Sequence, residues 1–556
     1  MKPFKYIFVI SVALMAQAVC LPAQNLDPTV VVDRAYEGKL VDVHKPALEM
    51  AVPDTVMRFD LDFDYSVFDN PYKGSYEFQP YLLSMKPSAS ADVSRRFYLS
   101  AGAGYQLHPE LDLVWSPDLK TDDFTTDIFV QHRSFIGDYI DLDGDDSDEG
   151  WSGFDLASSA GIAGHGDWES GYADFWGKYS NLAVKDRTWN RMYNAAEVGL
   201  SVGSKDLETL VDYRIDARYV YGHDALTGIP SVTGPSTENV IGADGFVGFP
   251  VGSAMLCFDL DADYVISGGS GKASAGQFGI TPHYVYRRAR FMADIGVKVA
   301  KALGGDADAG QEAYAGAKSE QIVYPDVTLE FGIIPDALKF SLLVGGGNSL
   351  DTWASVLKDN HHAFTYVPDF SIERINAVAG FKGRIFSSLS YNLYGGYVNY
   401  ASGLLDRIDV TVSDPAGILL PSVGHAPYQK LYAGLDVVYK DESLMIDGSV
   451  VYSDATGDAF SQGFVRPAAV SGHAELEYNW KRRIYAGIDC RFASERESLE
   501  YTLPAYADLG VTVEYVTSRG LSFWVRGGNL LGMTVQRNPL YAEKGSYFTL
   551  GIRLNL

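Results

Sequence analysis

The chain contains 556 residues and carries a formal net charge of −26. This charge argues against a nucleic-acid partner, because phosphate binding needs clustered Lys and Arg. Aromatic residues make up 13% of the chain, Gly accounts for 56 residues, and no segment after the N-terminus has the about 18 consecutive apolar residues of a membrane helix. Much Tyr and Gly without such a segment is typical of a transmembrane β-barrel with aromatic girdles.

The N-terminus has the features of an export signal. Two lysines precede an apolar run from Tyr6 to Ala16, and small residues follow. This pattern predicts a signal peptide over residues 1–23, with cleavage after Ala23. Cys20 raises the alternative of a lipoprotein, but Gln17 occupies the position where a lipidation motif has an aliphatic residue.

Residues 24–94 form a second segment, which is irregular, charged and interrupted by proline. Only residues 59–67 alternate apolar and polar side chains as a strand would. From residue 95 onward, alternating segments repeat to the end of the chain. We therefore predict an all-β fold, with a periplasmic or luminal N-terminal segment over 24–94 and a transmembrane antiparallel β-barrel over 95–556.

The alternating segments number about 22, an even count that suits a bacterial barrel. They begin near Phe97, Glu110, Phe124, Gly153, Glu169, Met192, Thr209, Asn239, Ala254, Ala275, Phe291, Gln321, Leu338, Arg374, Leu389, Lys430, Leu444, Val470, Ile484, Ala507, Leu521 and Tyr547. Many connections after even-numbered segments are short, whereas several after odd-numbered segments are long. Because periplasmic turns are short and extracellular loops are long, this rhythm places both ends of the barrel in the periplasm.

Within the segments, charged residues occupy one face. Residues 211–219 alternate apolar side chains with Asp212, Arg214, Asp216 and Arg218. A dry protein core would reject so many charges, so this face is predicted to line a wet lumen while the apolar face contacts lipid. A soluble antiparallel sheet with its charged face outward is the alternative for any single strand.

The same alternation orients the cysteines and further acids. Cys257 is predicted to face the lumen and Cys490 the lipid, on distant strands, so no disulfide is expected. Glu475 and Glu477 share the lumen face of one strand and neighbour Asp489 and Arg491 on the next. The excess of acids predicts an interior that favours cations.

The last ten residues, YFTLGIRLNL, alternate strictly between apolar and polar or small side chains. Thr549, Gly551, Leu554 and Leu556 resemble the C-terminal signal of outer-membrane β-barrels, which has a polar residue, a glycine and two spaced hydrophobic residues. The resemblance implies that this strand closes the barrel, with barrel-assembly machinery as a partner. An ordinary sandwich strand is the alternative.

Two regions resemble TonB-dependent outer-membrane receptors. Residues 524–531 and the closing strand look like the last hairpin of that family, and 22 is also the family's number of strands. Near the N-terminus, Thr29, Val30, Val31 and Val32 are similar to its valine-rich TonB box. The resemblance implies a place in the bacterial outer membrane, among its lipids, with TonB as a partner.

The N-terminal segment departs from that family. It has about 70 residues and no glycine-arginine motif, whereas family plugs are much longer and carry such motifs. The whole resembles receptor-like barrels of Bacteroidetes type that lack a full plug. We therefore expect uptake or passage of a solute, or ligand binding through extracellular loops. The alternative is a non-transporting structural or assembly subunit that docks other outer-membrane proteins or lipoproteins.

Few residues form a candidate chemical site. Asp141, Asp143 and Asp145 lie in a predicted extracellular loop whose oxygen density suits Ca²⁺, although its glycine is not placed as in an EF-hand. A solvated acidic loop is the competing interpretation. His361 and His362, in another long loop, are a second metal candidate, with plain surface histidines as the alternative. No Ser/His/Asp arrangement stands out, and we predict neither an enzyme nor another cofactor.

Overall fold

A computed structural model gives the fold of the protein. It describes residues 96–105, 107–118, 123–140, 142, 151–186, 189–205, 211–228, 235–269, 273–304, 322–364, 368–410, 419–499, 501–517 and 520–556. The predicted signal peptide, the segment 24–94, the four TonB-box-like residues and the three aspartates of the calcium candidate lie outside these residues. Over the described ranges, no helix is long and apolar enough to cross a membrane.

Twenty-two strands pair antiparallel, each with its neighbours along the chain, and the last pairs with the first, so the sheet closes into a barrel. This confirms the predicted fold and strand number. The barrel strands are β1(Phe97–Tyr105), β2(Glu110–Trp115), β3(Phe124–Tyr139), β4(Trp151–Trp168), β5(Gly171–Lys185), β6(Asn190–Ser204), β7(Asp212–Thr227), β8(Pro235–Val251), β9(Ala254–Gly269), β10(Ala273–Arg288), β11(Phe291–Gly304), β12(Val323–Ile334), β13(Leu338–Asp351), β14(Asp369–Ile385), β15(Leu389–Val410), β16(Leu419–Lys440), β17(Leu444–Thr456), β18(Val470–Trp480), β19(Ile484–Ala493), β22(Tyr506–Val516), β23(Leu521–Gly528) and β24(Tyr547–Asn555).

Three short elements lie in the connections. The strands β20(Arg496–Glu497) and β21(Thr502–Leu503) pair as a separate hairpin between β19 and β22. A helix, α1(Trp353–Asp359), lies between β13 and β14, and a 3₁₀ turn, Asp458–Ser461, follows β17. Each sits at the end of the barrel where the connections are long.

The strands separate an apolar outer face from a polar inner face, as the alternation predicts. On β24, Phe548, Leu550 and Ile552 point outward and are 51%, 55% and 44% exposed, whereas Tyr547 and Thr549 are buried. An apolar belt that continues around the barrel needs hydrocarbon against it. The chain is therefore a transmembrane barrel.

Tyrosine hydroxyls on the outer face mark the edge of this belt that is nearer the long connections. In three places a tyrosine donates a hydrogen bond of 2.7 or 2.8 Å to a side-chain amide oxygen on the adjacent strand, in the pairs Tyr179–Asn194, Tyr219–Asn239 and Tyr397–Gln429. Each amide lies nearer the long-loop end than its tyrosine, since the cross-strand partners of the amides are residues 181, 221 and 399. This is an aromatic girdle at the membrane interface.

The two cysteines follow the predicted orientation. Cys257 is buried between the outward-facing Leu256 and Phe258, and therefore points inward. Cys490 follows the outward-facing Ile488 by two residues and therefore points outward. Both are free.

The two rims of the barrel differ in the length of their connections. One rim has turns of two or three residues at 169–170, 252–253, 289–290, 335–337, 386–388, 441–443 and 481–483. The other has long connections, including 305–322, 352–368, 457–469 and 529–546. The predicted alternation is confirmed, and by the rule for bacterial barrels the short-turn rim is periplasmic and the long-loop rim is the extracellular mouth.

Candidate functional site

The loop that joins β13 to β14 forms the helix α1 at the extracellular mouth. The Thr352 hydroxyl accepts a hydrogen bond of 3.2 Å from the Ser355 backbone N–H, and the Ser355 hydroxyl accepts one of 2.9 Å from the Thr352 N–H, which makes a capping box. Trp353, Val356 and Leu357 form one buried face. Seven residues do not make a stable helix alone, so burial of this face holds α1 in place.

Two barrel strands bind the start of α1. The Glu238 carboxylate, on β8 and only 1% exposed, accepts hydrogen bonds of 2.7 and 3.1 Å from the backbone N–H groups of Trp353 and Ala354. These are two of the N–H groups that a helix leaves without an internal partner. Asp224, on β7, accepts a hydrogen bond of 3.1 Å from the Trp353 indole. The helix is therefore anchored by buried carboxylates.

Arg191, on β6, binds the other end of the loop. Its side chain is fully buried, donates a hydrogen bond of 2.8 Å to the His361 carbonyl and lies 3.3 Å from the Asp224 carboxylate. Its guanidinium also lies 5.7, 5.3 and 5.9 Å from the ring centroids of Trp189, Trp353 and Phe364. A buried cation is costly unless its partners compensate for lost water, and these contacts offset part of that cost, since two guanidinium nitrogens of Arg191 have no hydrogen-bond partner among the described residues.

The loop crosses the mouth of the barrel. Phe364 packs edge-on against Trp189, next to β6, with ring centroids 4.7 Å apart. The Phe364 N–H donates a hydrogen bond of 2.9 Å to the Pro421 carbonyl on β16. Asn360 donates one of 3.1 Å to Asp406 on β15. Since β6 and β16 are ten positions apart among 22 strands, one loop joins nearly opposite walls.

The loop between β23 and β24 lies against the same segment. The Tyr541 ring stacks on the His362 ring, with centroids 3.4 Å apart and planes at 9°, and its hydroxyl donates a hydrogen bond of 2.5 Å to Asp186. Earlier in this loop, Arg537 forms an ion pair of 3.1 Å with Asp508 on β22. We refer to residues 352–364, together with the contacts that hold them, as the mouth loop.

The two adjacent histidines have opposite environments. Burial alone would lower the pKa of His361, but its ion pair of 3.3 Å with Asp155 raises that pKa above the ordinary value. Burial lowers the pKa of His362 to about 3. Among the residues that the structure describes, no group of three or more His, Cys, Asp or Glu side chains is arranged to hold a metal ion.

Below the mouth, acids lie side by side on the inner wall. Asp216, Asp244 and Asp261 are cross-strand neighbours on β7, β8 and β9, and Lys298 lies 3.2 Å from Asp261. A second pair confirms the prediction for the opposite wall, where the acids at 475 and 489 directly oppose each other on β18 and β19. Carboxylates in this arrangement attract cations into a wet lumen.

The predicted closing signal lies at the seam between β24 and β1. Thr549 is completely buried and shares a hydrogen bond of 2.5 Å with the His108 ring. Gly551 lies directly opposite Gly102 on β1, and the Trp524 indole from β23 covers both glycines. A Cβ at position 551 would lie 2.2 Å from the indole, so the glycine is required by this close approach.

The apolar end of the signal completes the seam. Leu554 stands between Leu99 on β1 and Leu521 on β23, all facing outward. Leu556 exchanges backbone hydrogen bonds of 2.8 and 2.9 Å with Phe97, the first residue of β1. The strand that the sequence predicts to close the barrel is therefore paired along its whole length.

Sequence reasoning missed the residues that hold the mouth loop. The sequence placed His361 and His362 in a plain long loop and indicated no role for Glu238 or Arg191. Two signals were present: Thr352-x-x-Ser355 has the spacing of a capping box, and three apolar residues follow with helical spacing. No sequence pattern indicates which strand the helix contacts.

Comparison with known proteins agrees with this geometry at the level of the fold. No protein-family model matches the chain, and no curated protein matches it. Solved structures that share the fold include a copper transporter, OprC, at 12% identity and a TM-score of 0.59, covering 85% of this chain and 82% of that chain. The FrpB iron transporter from Neisseria meningitidis (F3-3 variant) has 9% identity and a TM-score of 0.62, covering 84% and 82%. The siderophore receptor PirA from Acinetobacter baumannii has 10% identity and a TM-score of 0.59, covering 83% and 80%.

At these identities the likeness shows the fold alone, and that fold is the outer-membrane β-barrel that the sequence resemblance implied. With its closed sheet and apolar belt, the chain is a bacterial outer-membrane β-barrel.

Proposed function

We propose that the protein is an outer-membrane receptor for the uptake of a solute, and that the mouth loop gates entry. The observation that carries this proposal is the crossing of the mouth between β6 and β16 by a single loop. A solute that enters the lumen from outside must displace or bypass that loop.

The attachments of the mouth loop are suited to a gate. They combine a few buried polar contacts, centred on Glu238 and Arg191, with the buried apolar face of α1, a helix too short to be stable alone. A ligand that competes for these contacts, or for the apolar face of α1, would favour the released state in proportion to its preference for that state. Loops of low intrinsic stability are the usual moving parts of proteins.

The structural neighbours support a transport role. Their names describe transporters or receptors for copper, iron and siderophores. The acid-lined wall of this chain supports a cationic solute or one that carries a cation. Engagement of TonB by Thr29–Val32, calcium binding by Asp141, Asp143 and Asp145, and contact with barrel-assembly machinery stay predictions.

Ion conductance in planar bilayers tests the gate. Wild-type protein is expected to conduct little, whereas a variant in which residues 353–364 are replaced by a short Gly-Ser linker should open large, steady channels. The matched control replaces 458–463, a segment of the same rim in the loop after β17, and should leave conductance low. Heat-modifiable migration on gels checks that all three proteins are folded barrels.

The rival function, a non-transporting subunit that docks other outer-membrane proteins or lipoproteins, predicts a different result. In that case the linker variant stays closed, and a partner copurifies with the wild-type protein in detergent. This pair of results would overturn the uptake proposal.

A further inference from the structure

One arc of the periplasmic rim is strongly basic in an otherwise acidic protein. Residues 287–290, at the turn between β10 and β11, read Arg-Arg-Ala-Arg, and residues 481–483, between β18 and β19, read Lys-Arg-Arg. The turns between them add Arg384 and Lys440, which makes eight exposed cations, against the three acids at 336, 441 and 442. We call these turn residues, from β10 to β19, the basic arc.

The cations of the basic arc lack acidic partners. Within the described residues, none of the eight forms an ion pair within 4.0 Å. Cations elsewhere on the same rim are paired: Arg96 lies 2.5 Å from Asp118, and Lys205 lies 3.1 Å from Asp167. Eight cations against three acids give the arc a net charge of +5, which no ion pair within 4.0 Å neutralises among the described residues.

The backbone of these turns departs from what their sequence prefers. Lys481 and Arg482 have φ angles of 54° and 56°, and Phe386 in the turn after β14 has 58°. A hairpin turn with two such residues ordinarily uses Asn-Gly, because larger side chains are disfavoured there. These turns therefore keep large side chains at positions where smaller ones would be less strained.

Aromatic side chains on the lipid face lie beside these cations. The Lys481 ammonium is 5.4 Å from the ring centroid of Trp480, which faces outward and is 51% exposed. Arg288 is the cross-strand partner of Phe291, another exposed outward-facing aromatic. Phe386 is 87% exposed at the end of a lipid-facing strand. Aromatic residues at this level of a membrane protein lie among the lipid headgroups.

We propose that the basic arc binds anionic phospholipids of the periplasmic leaflet, with its cations on the phosphates and with Trp480 and Phe386 inserted between the headgroups. Two turns repeat the pairing of a cation with a lipid-facing aromatic, and a lipid satisfies both groups at once. An acidic periplasmic protein would contact the cations from below and leave the aromatics without a role. Cations near an anionic membrane surface each add to the attraction.

Spin-labelled lipids in reconstituted vesicles test this proposal. Electron paramagnetic resonance measures how strongly the wild-type protein selects phosphatidylglycerol over phosphatidylcholine in its lipid shell. We expect a preference of about threefold or more for phosphatidylglycerol, which the variant R288Q/K481Q/R482Q/R483Q reduces to about one. The variant R96Q/K205Q, which removes two paired cations of the same rim, should keep the wild-type preference.

A salt titration of the wild-type protein tests the same lipid preference without a substitution. At 1 M NaCl the screening length falls to about 3 Å, so a phosphate preference should disappear. Equal association of the two lipids with wild-type protein at low salt would overturn the proposal. A preference for phosphatidylglycerol that persists in the four-site variant would also overturn it. So would a protein that shows no lipid preference but binds a periplasmic protein through the basic arc in a detergent pull-down.

Discussion

At the scale of single residues, the seam of the barrel depends on one glycine. A Cβ at Gly551 would lie 2.2 Å from Trp524 and 2.7 Å from the Ala101 carbonyl, closer than atoms can approach. We expect Gly551→Ala to destabilise the folded barrel by about 1–3 kcal/mol, because the indole must leave its position across the β24–β1 seam. The midpoint of urea unfolding in detergent measures this loss.

Gly545→Ala is the matched control, since nothing lies within 4 Å of a Cβ at that position. Its urea midpoint should equal that of the wild type. In the double variant Trp524→Ala/Gly551→Ala the two losses should be less than additive, because the first substitution removes the side chain with which the new methyl collides. An unchanged midpoint in Gly551→Ala would show that the seam adapts and that the glycine is not required.

The two histidines of the mouth loop should give it opposite responses to pH. The raised pKa of His361 means that its ion pair with Asp155 stabilises the loop fully below about pH 6.5 and is lost as pH rises through the folded-state pKa. The pKa of His362 falls to about 3, so its neutral form stabilises the loop above about pH 6.5, and this contribution is lost as pH falls toward 3.

Cleavage inside α1 reports release of the loop, by trypsin after Lys358 on the alkaline side and by pepsin at Leu357 on the acidic side. In His361→Gln the increase in cleavage on the alkaline side should flatten, and in His362→Gln the increase on the acidic side should flatten. Arg191 bonds the backbone carbonyl of His361, so neither substitution removes that contact. If both variants kept the wild-type pH profile, the histidines would not control the loop.

At the scale of elements, α1 depends on a carboxylate from a different part of the chain. Glu238→Ala leaves two buried N–H groups of Trp353 and Ala354 without an acceptor, at about 1–3 kcal/mol each. We therefore expect cleavage after Lys358 to accelerate by about tenfold or more, while the barrel remains folded. Glu495→Ala removes an exposed glutamate from the same rim and should leave the rate unchanged. Equal rates in the two variants would mean that Glu238 does not hold α1.

The sequence predicts the strands well where lipid constrains them and less well beyond the membrane. The predicted start of β13 at Leu338 is correct, because a periplasmic turn leads directly into the apolar belt. The predicted start near Lys430 falls well inside β16, which begins at Leu419, since the additional strand residues stand outside the lipid and need not alternate. Tertiary contacts could not be predicted from the sequence, because Glu238 and Trp353 are separated by 115 residues and no local pattern connects them.

At the scale of the whole molecule, the acid-lined wall should select the ions that pass once the mouth loop is removed. Asp259, Asp261 and Asp263 face the lumen from β9. Each forms an ion pair, with His283 on β10, Lys298 on β11 and Arg218 on β7 respectively, so neutralising the three acids changes the net charge of the wall by three. Two unit charges about 10 Å apart in water interact by about 0.4 kcal/mol, so each carboxylate raises the preference for a monovalent cation by about twofold. Channels of the linker variant should therefore favour K⁺ over Cl⁻ in reversal-potential measurements.

The triple substitution D259N/D261N/D263N in that linker variant should lower the K⁺ preference by several-fold, and raising the salt concentration should have the same effect because it screens the wall. Asp458→Asn, in an exposed loop at the mouth, removes one acid outside the lumen and should leave the reversal potential nearly unchanged. If the channels selected Cl⁻, or if the triple substitution left the reversal potential unchanged, the β9 acids would not determine the electrostatic potential in the lumen. The preference for a cationic solute would then have to arise at the mouth.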